Sequence, residues 1–498
     1  TASGSRLSER RRAKVRNAWS RLHSSPSTVP ARTILDRTLH GMARGGVYDH
    51  LGGGFHRYSV DAEWIVPHFE KMSYDNSELL KTYLDAHALF DVEEYAEVAR
   101  GIVRWVRADL ADPAGGYGAS QDADIGLDDD GDYFTWTREE AAAVLGQDEM
   151  EVAAAYYDIG TAGEMQHDPG KNVLFVSATV PAIALRSGRT EEATGALLRS
   201  AQEKLRAERA RRPAPFIDRT RYANWNAMMA SALLRAGTVL GEEWSRDHAL
   251  RTLARLRSES REPDAVAHTP GGVAGLLDDQ VQTAAAALDA YETTGDRGWL
   301  EWSEQLMARV WHDYSDPDAG GLFDTAKGRT GEVGLLPARA KPVQDTPTPS
   351  ANGVAAIVYA RLHALTGEQQ WKERSEALLQ AFAGRARELG LYAATYLLAA
   401  DWHLNAANHL VVVGEALDPA AAEMHRQALA GFLPRRIVQR LRPAEAESVS
   451  LPVALRGMVG AGTGARGYAC TGLSCSQPAE DPPSWAATLE SLRPMAPA

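Results

Sequence analysis

The chain has 498 residues, a formal net charge of −13 and 44% hydrophobic residues. This length predicts either several domains or one large helical ring. The acidic balance excludes a typical nucleic-acid-binding surface, because phosphate contacts need clustered lysine and arginine. The sequence shows no apolar run of membrane-spanning length, and its two cysteines suit a reducing compartment. Because the first residues are polar and basic, we expect no secretory leader. We therefore expect a cytoplasmic protein without nucleic-acid or membrane partners.

The first helices are predicted after a leading segment, residues 1–32, that is rich in arginine, serine and proline. Apolar residues at positions 79, 80, 83, 84 and 90 recur at helical spacing, and the pattern resumes after a break at Asp91. Two antiparallel helices are the simplest interpretation. Farther along, Thr137 and Glu140 predict a capping box at the start of a helix in REEAAAVLG.

Helical patterns continue through most of the remaining chain. They occupy NAMMASALLRAGTVLG, LDDQVQTAAAALDAYETTG, WLEWSEQLMARVWHDYS, GVAAIVYARLHALTG, EQQWKERSEALLQAFAGRA and LYAATYLLAADWHL. Between helices, a double-glycine loop returns at residues 45–49, 112–120, 269–275 and 316–324. Because glycine permits the positive φ of a tight reversal, this repeat indicates helical hairpins. We predict a mainly α fold, with an (α/α)6 barrel over residues 33–408.

The tail, residues 409–498, changes character. HLVVVG and RRIVQRL have strand composition, and DPAAAEMHRQALAGFL between them has a helical pattern. A small C-terminal α/β segment packed on the barrel is therefore predicted. The glycines of GMVGAGTGARGYAC are followed by no helix, so they do not match a dinucleotide-binding loop.

The densest chemistry lies in residues 45–76, GGVYDHLGGGFHRYSVDAEWIVPHFEKMSYDN. Its glycines permit close approach of the backbone to a ligand, and ionisable and aromatic side chains surround them. The catalytic candidates of this stretch are His56, Asp61, His68, Glu70 and Asp75. Its ligand-binding candidates are Arg57, Tyr58, Trp64, Lys71, Tyr74 and Asn76.

A structural interpretation of the same stretch stays open. On that interpretation the side chains brace one another in a buried network, with Glu70 paired to Lys71 or to Arg57. Asp75, with Glu78, would then cap the following helix.

Three other clusters supply further candidates. In GGYGASQDADIGLDDDGDYFTWT, Gln121 is a ligand-binding candidate, and Asp122 and Asp124 are catalytic candidates whose carboxylates face one way on an extended segment. The aspartates at positions 128, 129, 130 and 132 fail the EF-hand spacing and indicate a solvated acidic turn.

The remaining clusters are DRTRYANWNAMM and GLLDDQ. The first offers Trp225 and Asn226 as ligand-binding candidates; the second offers Asp278 for binding and Asp279 for catalysis, although either aspartate could cap a helix. Aromatic rings beside carboxylates and amides suit a carbohydrate, whose apolar faces stack on the rings.

We predict no cofactor and no metal site. His50, His56 and His68 lie close together, but no His-x3-His or Cys-x2-Cys spacing accompanies them. Cys470 and Cys475 are redox candidates, either as a disulfide or as two buried free thiols.

Several motifs in a fixed order resemble a known family. Residues 45–76, GGYGASQDAD, DYFTWT, GKNVL, NWNAMM, TPSANGVAA and ACTGLSC together resemble the thioredoxin-domain-containing proteins of the spermatogenesis-associated and bacterial YyaL type. The resemblance covers about residues 33–482 and implies a six-hairpin glycosidase-like toroid that follows a thioredoxin-like domain with a Cys-x-x-Cys motif. Since no such motif precedes residue 33, we expect residues 1–32 to be a remnant of that domain.

Two functions are compatible with these patterns. The first is a carbohydrate-active enzyme of hydrolase or epimerase type, in which His56 or His68 is the acid or base and Asp61, Asp122 or Asp124 is the partner carboxylate. The second is a non-catalytic binding or scaffold module that works with a thioredoxin-like domain in thiol redox biology. The expected partners are accordingly a small carbohydrate-like molecule and a thioredoxin-like domain.

Overall fold

A computed structural model of the chain describes residues 31–126, 131–260, 262–328, 339–446, 464–472 and 474–493. The described residues fall into two compact units. The N-terminal unit comprises residues 31–113 and 117–220, and the C-terminal unit comprises residues 114–116 and those from 221 onward.

The N-terminal unit is mainly helical. Its helices are α1 (Ala31–Arg44), α2 (Ser73–Phe90), α3 (Glu93–Trp105), α4 (Arg138–Val144), α5 (Gln147–Tyr157), α6 (Val180–Ser187) and α7 (Glu191–Arg209). Helix α2 ends where Asp91 adopts a left-handed conformation, with φ of 55°, and α3 then packs back against α2. The predicted hairpin with its break at Asp91 is confirmed. One π-helical turn, Val106–Leu110, extends α3.

The predicted capping box at the start of α4 is also confirmed. The backbone amide of Glu140 donates to Oγ1 of Thr137 over 3.1 Å, and the amide of Thr137 donates to the carboxylate of Glu140 over 2.8 Å. Each bond satisfies an amide that the first helical turn would otherwise leave unpaired.

Short strands organise the loops of this unit. Strand β1 (Tyr58–Ser59) pairs antiparallel with β2 (Pro67–His68). Strands β3 (Lys71–Met72), β4 (Ser120–Gln121) and β5 (Ile217–Asp218) form a three-stranded antiparallel sheet with β4 in the middle. The sheet brings together three segments that are far apart in the sequence.

The C-terminal unit is built from helical hairpins. Its helices before the tail are α8 (Ala223–Val239), α9 (Glu243–Glu259), α10 (Leu277–Thr294), α11 (Arg297–Tyr314), α12 (Ala351–Thr366), α13 (Gln369–Phe382), α14 (Ala386–Leu389) and α15 (Ala394–Leu404). Helices α8, α10 and α12 pack side by side, and each also packs on the helix that follows it, α9, α11 or α13. The two layers enclose a core that contains Trp302, Leu306, Tyr359 and Leu379.

Glycine ends two helices of the C-terminal unit. Gly295 after α10 and Gly367 after α12 both have φ of 73°, a conformation that other residues rarely adopt. Gly320 and Gly321, in the predicted double-glycine loop, also have positive φ. The helical hairpins and the mainly α fold class are confirmed.

The tail forms the predicted α/β segment. It comprises β6 (Asn408–Val413), α16 (Pro419–Ala430), β7 (Arg436–Leu441), α17 (Pro443–Ala446), β8 (Arg466–Thr471), β9 (Ser474–Cys475) and α18 (Pro482–Leu492). The sheet order is β7-β6-β8-β9; β6 and β7 are parallel, and β8 is antiparallel to β6. The β-α-β prediction is therefore confirmed.

Some predictions remain untested. Residues 1–30 of the leading segment, the aspartates at 128–130 and the glycines at 460 and 462 lie outside the described residues. The domain boundaries near residues 32 and 408 remain predictions. Among the helices that the structure describes, none is long and apolar enough to cross a membrane.

Candidate functional site

A buried ion network anchors the glycine-rich loop of the N-terminal unit. The ammonium group of Lys71 lies 2.6 Å from the carboxylate of Asp49, and the guanidinium of Arg209 reaches both oxygens of that carboxylate at 2.8 and 3.0 Å. Lys71 also donates to the carbonyl of Gly53 over 2.8 Å. Although burial opposes ionisation, the two cations hold the pKa of Asp49 well below its usual value. Lys71, a predicted ligand-binding residue, thus lies in a satisfied structural network.

Three further predicted residues also support the loop. His56 is buried, with Nδ1 2.7 Å from the carbonyl of Phe69; burial, reinforced by Lys71, lowers the pKa of His56 to about 3. Its imidazole is therefore neutral near pH 7. The Asn76 side chain bonds both the amide and the carbonyl of Phe55, and Gln121 accepts a hydrogen bond from the Trp105 indole over 2.9 Å.

The sheet places two predicted carboxylates side by side. Lys71 pairs with Gln121 at the end of the β3–β4 register, and Glu70 and Asp122 are the next residues outward on the two segments. Burial raises the pKa of Asp122, and the negative charges of Glu70 and Asp218 raise it further. Asp122 and Asp124 are both more exposed than Gln121 and Ala123, as the predicted alternation requires.

Asp75 is a second carboxyl group of this region with a strongly shifted pKa. It lies in the first turn of α2, but the helix begins after Met72 without a side-chain cap, so the interpretation of Asp75 as a cap is wrong. Its Oδ2 atom is buried and has no hydrogen-bond partner among the described residues. Burial raises the pKa of Asp75 to about 7, with Arg57 opposing the shift and Glu70 adding to it. Near neutral pH this carboxyl group is therefore partly protonated.

An ion pair and a buried phenol border Asp75. Arg57 lies 2.9 Å from the carboxylate of Glu70, which confirms one of the two pairings predicted for Glu70. Tyr74 is buried, and its pKa is raised by burial and by the charge of Asp75, while Arg57 opposes the shift. We call the group Arg57, Glu70, Asp75 and Asp122 the carboxylate cluster.

Two exposed aromatic residues lie on segments that adjoin the carboxylate cluster in the chain or in the sheet. The ring of Tyr58, 51% exposed, stacks on His68 with centroids 5.1 Å apart. Phe216 is 66% exposed, and its carbonyl accepts the backbone amide of Asp122 over 2.9 Å. His68 itself has a buried Nδ1 without a hydrogen-bond partner among the described residues.

The remaining candidates of this unit shape turns or lie at the surface. Asp61 accepts the amides of Ile65 and Val66 at 3.0 and 2.6 Å, which closes the turn between β1 and β2. Trp64 in the same turn has a positive φ of 63° and is half-buried. Asp124 is exposed.

A second polar cluster lies in the C-terminal unit. Helix α10 begins after Leu276 without a side-chain cap, so the expectation that an aspartate caps it is wrong. Asp278 instead accepts a 2.6 Å hydrogen bond from the side chain of Asn224, and Asp279 accepts the Asn224 amide at 3.2 Å. Burial raises the pKa of Asp278 to about 6.

Sequence reasoning missed three residues of this second cluster, Asn224, Tyr222 and His268. His268 lies outside the quoted motifs. Its Nδ1 lies 3.1 Å from both carboxylate oxygens of Asp279, and its ring packs against Tyr222 at 4.9 Å between centroids. The ring of Tyr222 also contacts that of Trp225, a predicted ligand-binding residue. Asn226 is buried and donates to the carbonyl of Tyr222 over 3.0 Å, so it supports the segment before α8.

Cys470 and Cys475 form a disulfide between paired positions of β8 and β9. Cys470 is buried and lines a cavity of about 490 Å³, together with Trp402 and His409. The alternative of two free thiols is not what the structure shows. Among the described residues, no group of three or more His, Cys, Asp or Glu side chains is arranged to hold a metal ion.

Solved structures with a related arrangement include a D-mannose isomerase (15% identity, 71% of this chain and 87% of that chain, TM-score 0.34). They also include the unsaturated glucuronyl hydrolase of Bacillus sp. GL1 (11% identity, 73% and 70%, TM-score 0.36). With TM-scores this low, the similarity does not indicate what activity this chain has. No protein-family model matches the chain.

Sequence relatives match the chain at higher identity. Spermatogenesis-associated protein 20 of Homo sapiens is 32% identical over 492 residues, which is 91% of this chain and 62% of the human protein. The Mus musculus protein of the same name is 33% identical over 395 residues, 72% of this chain and 50% of that protein. An uncharacterized protein of Caenorhabditis elegans, B0495.5, is 26% identical over 479 residues, 89% and 64%. The chain is therefore a homologue of spermatogenesis-associated protein 20, and it spans less than two thirds of the human protein's length.

Proposed function

We propose that the carboxylate cluster is an acid–base site for a carbohydrate or a similar polyhydroxylated ligand. One observation carries this proposal: Asp75 is a partly buried carboxyl group with an unpartnered oxygen, and burial raises its pKa to about 7 beside the Arg57–Glu70 ion pair. A carboxyl group that keeps its proton near neutral pH can act as a general acid.

Hydrolysis of a glycoside requires a protonated carboxyl group and an ionised carboxylate on either side of the scissile bond. Asp75 supplies the first in this proposal. Glu70, paired with Arg57, and Asp122, on the neighbouring segment, are the candidates for the second. Asp75 would protonate the departing oxygen while the ionised partner activates water or stabilises the developing positive charge.

The surroundings of the cluster favour a sugar as the ligand. The exposed rings of Tyr58 and Phe216 offer apolar faces on which a pyranose can stack. Three buried polar atoms, namely His68 Nδ1, Ser73 Oγ and Asp75 Oδ2, have no hydrogen-bond partner among the described residues, so a ligand hydroxyl that reached them would make hydrogen bonds that these residues leave unmade.

The proposal changes the roles of two predicted histidines. His56 is buried, neutral and bonded to the Phe69 carbonyl, so we assign it to the support of the loop. His68 stacks on Tyr58 and is assigned to ligand binding. Asp122 keeps the role of partner carboxylate.

The experiment combines binding with product analysis. The full chain is incubated with a panel of disaccharides and aryl glycosides, and binding is followed by thermal shift and products by proton NMR. Asp75→Asn should retain binding and reduce product formation by about 10²-fold or more, because it removes the acid but keeps the shape. Asp318→Asn, an exposed change in the C-terminal unit, is the control. Full turnover by Asp75→Asn would refute the assignment.

A second candidate function is a non-catalytic module that works with a thioredoxin-like domain. The observation that favours it is an exposed apolar patch in the C-terminal unit, where Leu391, Tyr392 and Leu398 are 92%, 55% and 59% exposed. This function predicts stabilisation by an added thioredoxin-like domain and saturable ligand binding without products. Charged substitutions at Leu391 and Leu398 should abolish that stabilisation.

A further inference from the structure

His268 and Asp279 form an isolated imidazole–carboxylate pair in the C-terminal unit. The carboxylate is 1% exposed and the imidazole 30% exposed, so one partner is fixed in the interior while the other reaches the surface. The backbone of His268 is held on both sides, because its amide donates to Val273 and its carbonyl accepts from Ala223. The backbone amide of Asn224 donates a hydrogen bond to Asp279 and also holds this carboxylate in place.

The pairing determines which nitrogen exchanges protons. Burial raises the pKa of Asp279, and His268 opposes that shift. In its ionised form the carboxylate can only accept hydrogen bonds, so Nδ1 of His268 is then the donor and carries a hydrogen. Nε2 is therefore the nitrogen that gains and loses a proton. A carboxylate in this position also stabilises the imidazolium form, as in hydrolase triads.

Among the described residues, the groups around the imidazole of His268 come from α10 and from the segment before α8. The charged groups that face it are Asp279 and Asp278, both from α10. The segment before α8 contributes the ring of Tyr222, which lies between His268 and Trp225. The side-chain amide of Asn224 donates to the carboxyl group of Asp278 over 2.6 Å and so positions it. An imidazole, a second carboxyl group and two aromatic rings thus occur together.

We propose that His268 and Asp279 are a proton-transfer pair for a polyhydroxylated ligand that lies against Tyr222 and Trp225. In this step the O–H bond of a ligand hydroxyl breaks, its proton forms the Nε2–H bond, and the alkoxide and imidazolium revert when the proton returns. Asp279 acts through His268 and is a positioning residue. The ligand class rests on the proposed function, but the pair includes no residue of the carboxylate cluster.

The test uses diethyl pyrocarbonate, which modifies unprotonated imidazole, on the full chain, with peptide mass spectrometry as the readout. The modification rate of His268 should follow a single titration, and Asp279→Asn should move its midpoint to lower pH, because the carboxylate that favours the imidazolium is lost. His312 is the internal reference: it is 83% exposed, and its Nδ1 lies 2.6 Å from Asp313. Its midpoint should be the same in both chains. An unchanged His268 midpoint in a folded Asp279→Asn chain would overturn the pairing.

Ligand access is tested with D-mannose and cellobiose as probes. A bound sugar should slow modification of His268 by the factor 1 + [L]/Kd, about tenfold when the sugar is at ten times its Kd, and leave His312 unaffected. Equal rates with and without both sugars would overturn the ligand assignment. The modification assay needs no turnover, so it tests His268 separately from Asp75. If Asp75 is not the acid, product formation by Asp75→Asn shows it; if His268 does not meet the ligand, the modification rate shows it. Trp225→Ala should weaken the protection while leaving the midpoint in place.

Discussion

Replacing Asp75 by asparagine should stabilise the protein more at high pH than at low pH. The native state holds the proton of Asp75 more tightly than the unfolded state, because burial raises the pKa from 3.8 to about 7. As the pH rises from the unfolded to the folded pKa, the free energy of unfolding therefore falls. Above the folded pKa the loss in free energy of unfolding has reached its full value. Asparagine does not ionise, so the variant does not suffer this loss.

The magnitude follows from the two pKa values. By linkage, the raised pKa of Asp75 lowers the free energy of unfolding of the parent chain by about 4 kcal/mol at pH 8 and by about 2 kcal/mol at pH 5. Asparagine leaves a buried amide in place of the carboxyl group, and that penalty is the same at both pH values. The advantage of the variant over the parent should therefore be about 2 to 3 kcal/mol larger at pH 8 than at pH 5.

Urea denaturation at the two pH values, followed by tryptophan fluorescence and circular dichroism, measures this difference. The matched control is Asp318→Asn, an exposed aspartate in the C-terminal unit that water already solvates. This variant measures what the same chemical change does at an exposed position. If Asp75→Asn shows the same effect at both pH values, Asp75 does not hold its proton in the native state, and the reasoning fails.

Other changes test the surrounding structure. Lys71→Met should destabilise the N-terminal unit by about 3 to 5 kcal/mol in urea denaturation, because it breaks a buried ion network, whereas Arg57→Ala, at a half-exposed pair, should cost about 1 kcal/mol or less. Equal losses would contradict the difference in burial. Thr137→Ala should cost about 1 kcal/mol through loss of the capping box, and Thr137→Ser should restore most of it. Cys475→Ala removes a disulfide with a sequence separation of 5 and should cost about 2 kcal/mol, a loss that a reductant reproduces in the parent.

Local patterns predicted much of the fold. The capping box at Thr137 and the left-handed break at Asp91 depend on residues within one or two turns of each other, so the sequence displays them directly. The β-α-β tail was predicted from the composition of each of its segments. Helix α7 was not predicted. Its buried apolar positions are few, mainly Leu198, Ala201 and Leu205 among many charged residues, so its apolar face is narrow.

The site was predicted less completely, because its properties depend on distant contacts. Asp49 meets Arg209, 160 residues away, and this contact decides that Lys71 is structural. The sequence identified Asp75 as a candidate but could not show that its Oδ2 is buried without a partner. His268 belongs to none of the quoted motifs, and the fold brings it to Asp279, which lies 11 residues farther along the chain. The density of ionisable residues indicated the region, and the roles proposed for its residues depend on burial, which the sequence does not display.

The most direct test of the central claim is the pH dependence of sugar turnover by the parent chain and by Asp75→Asn. If Asp75 is the general acid, the parent rate should fall as the pH rises above about 7, since the carboxyl group then loses its proton. Asp75→Asn should lose this alkaline limb together with most of its activity at every pH. A variant that keeps the parent rate and the same alkaline limb would contradict the account.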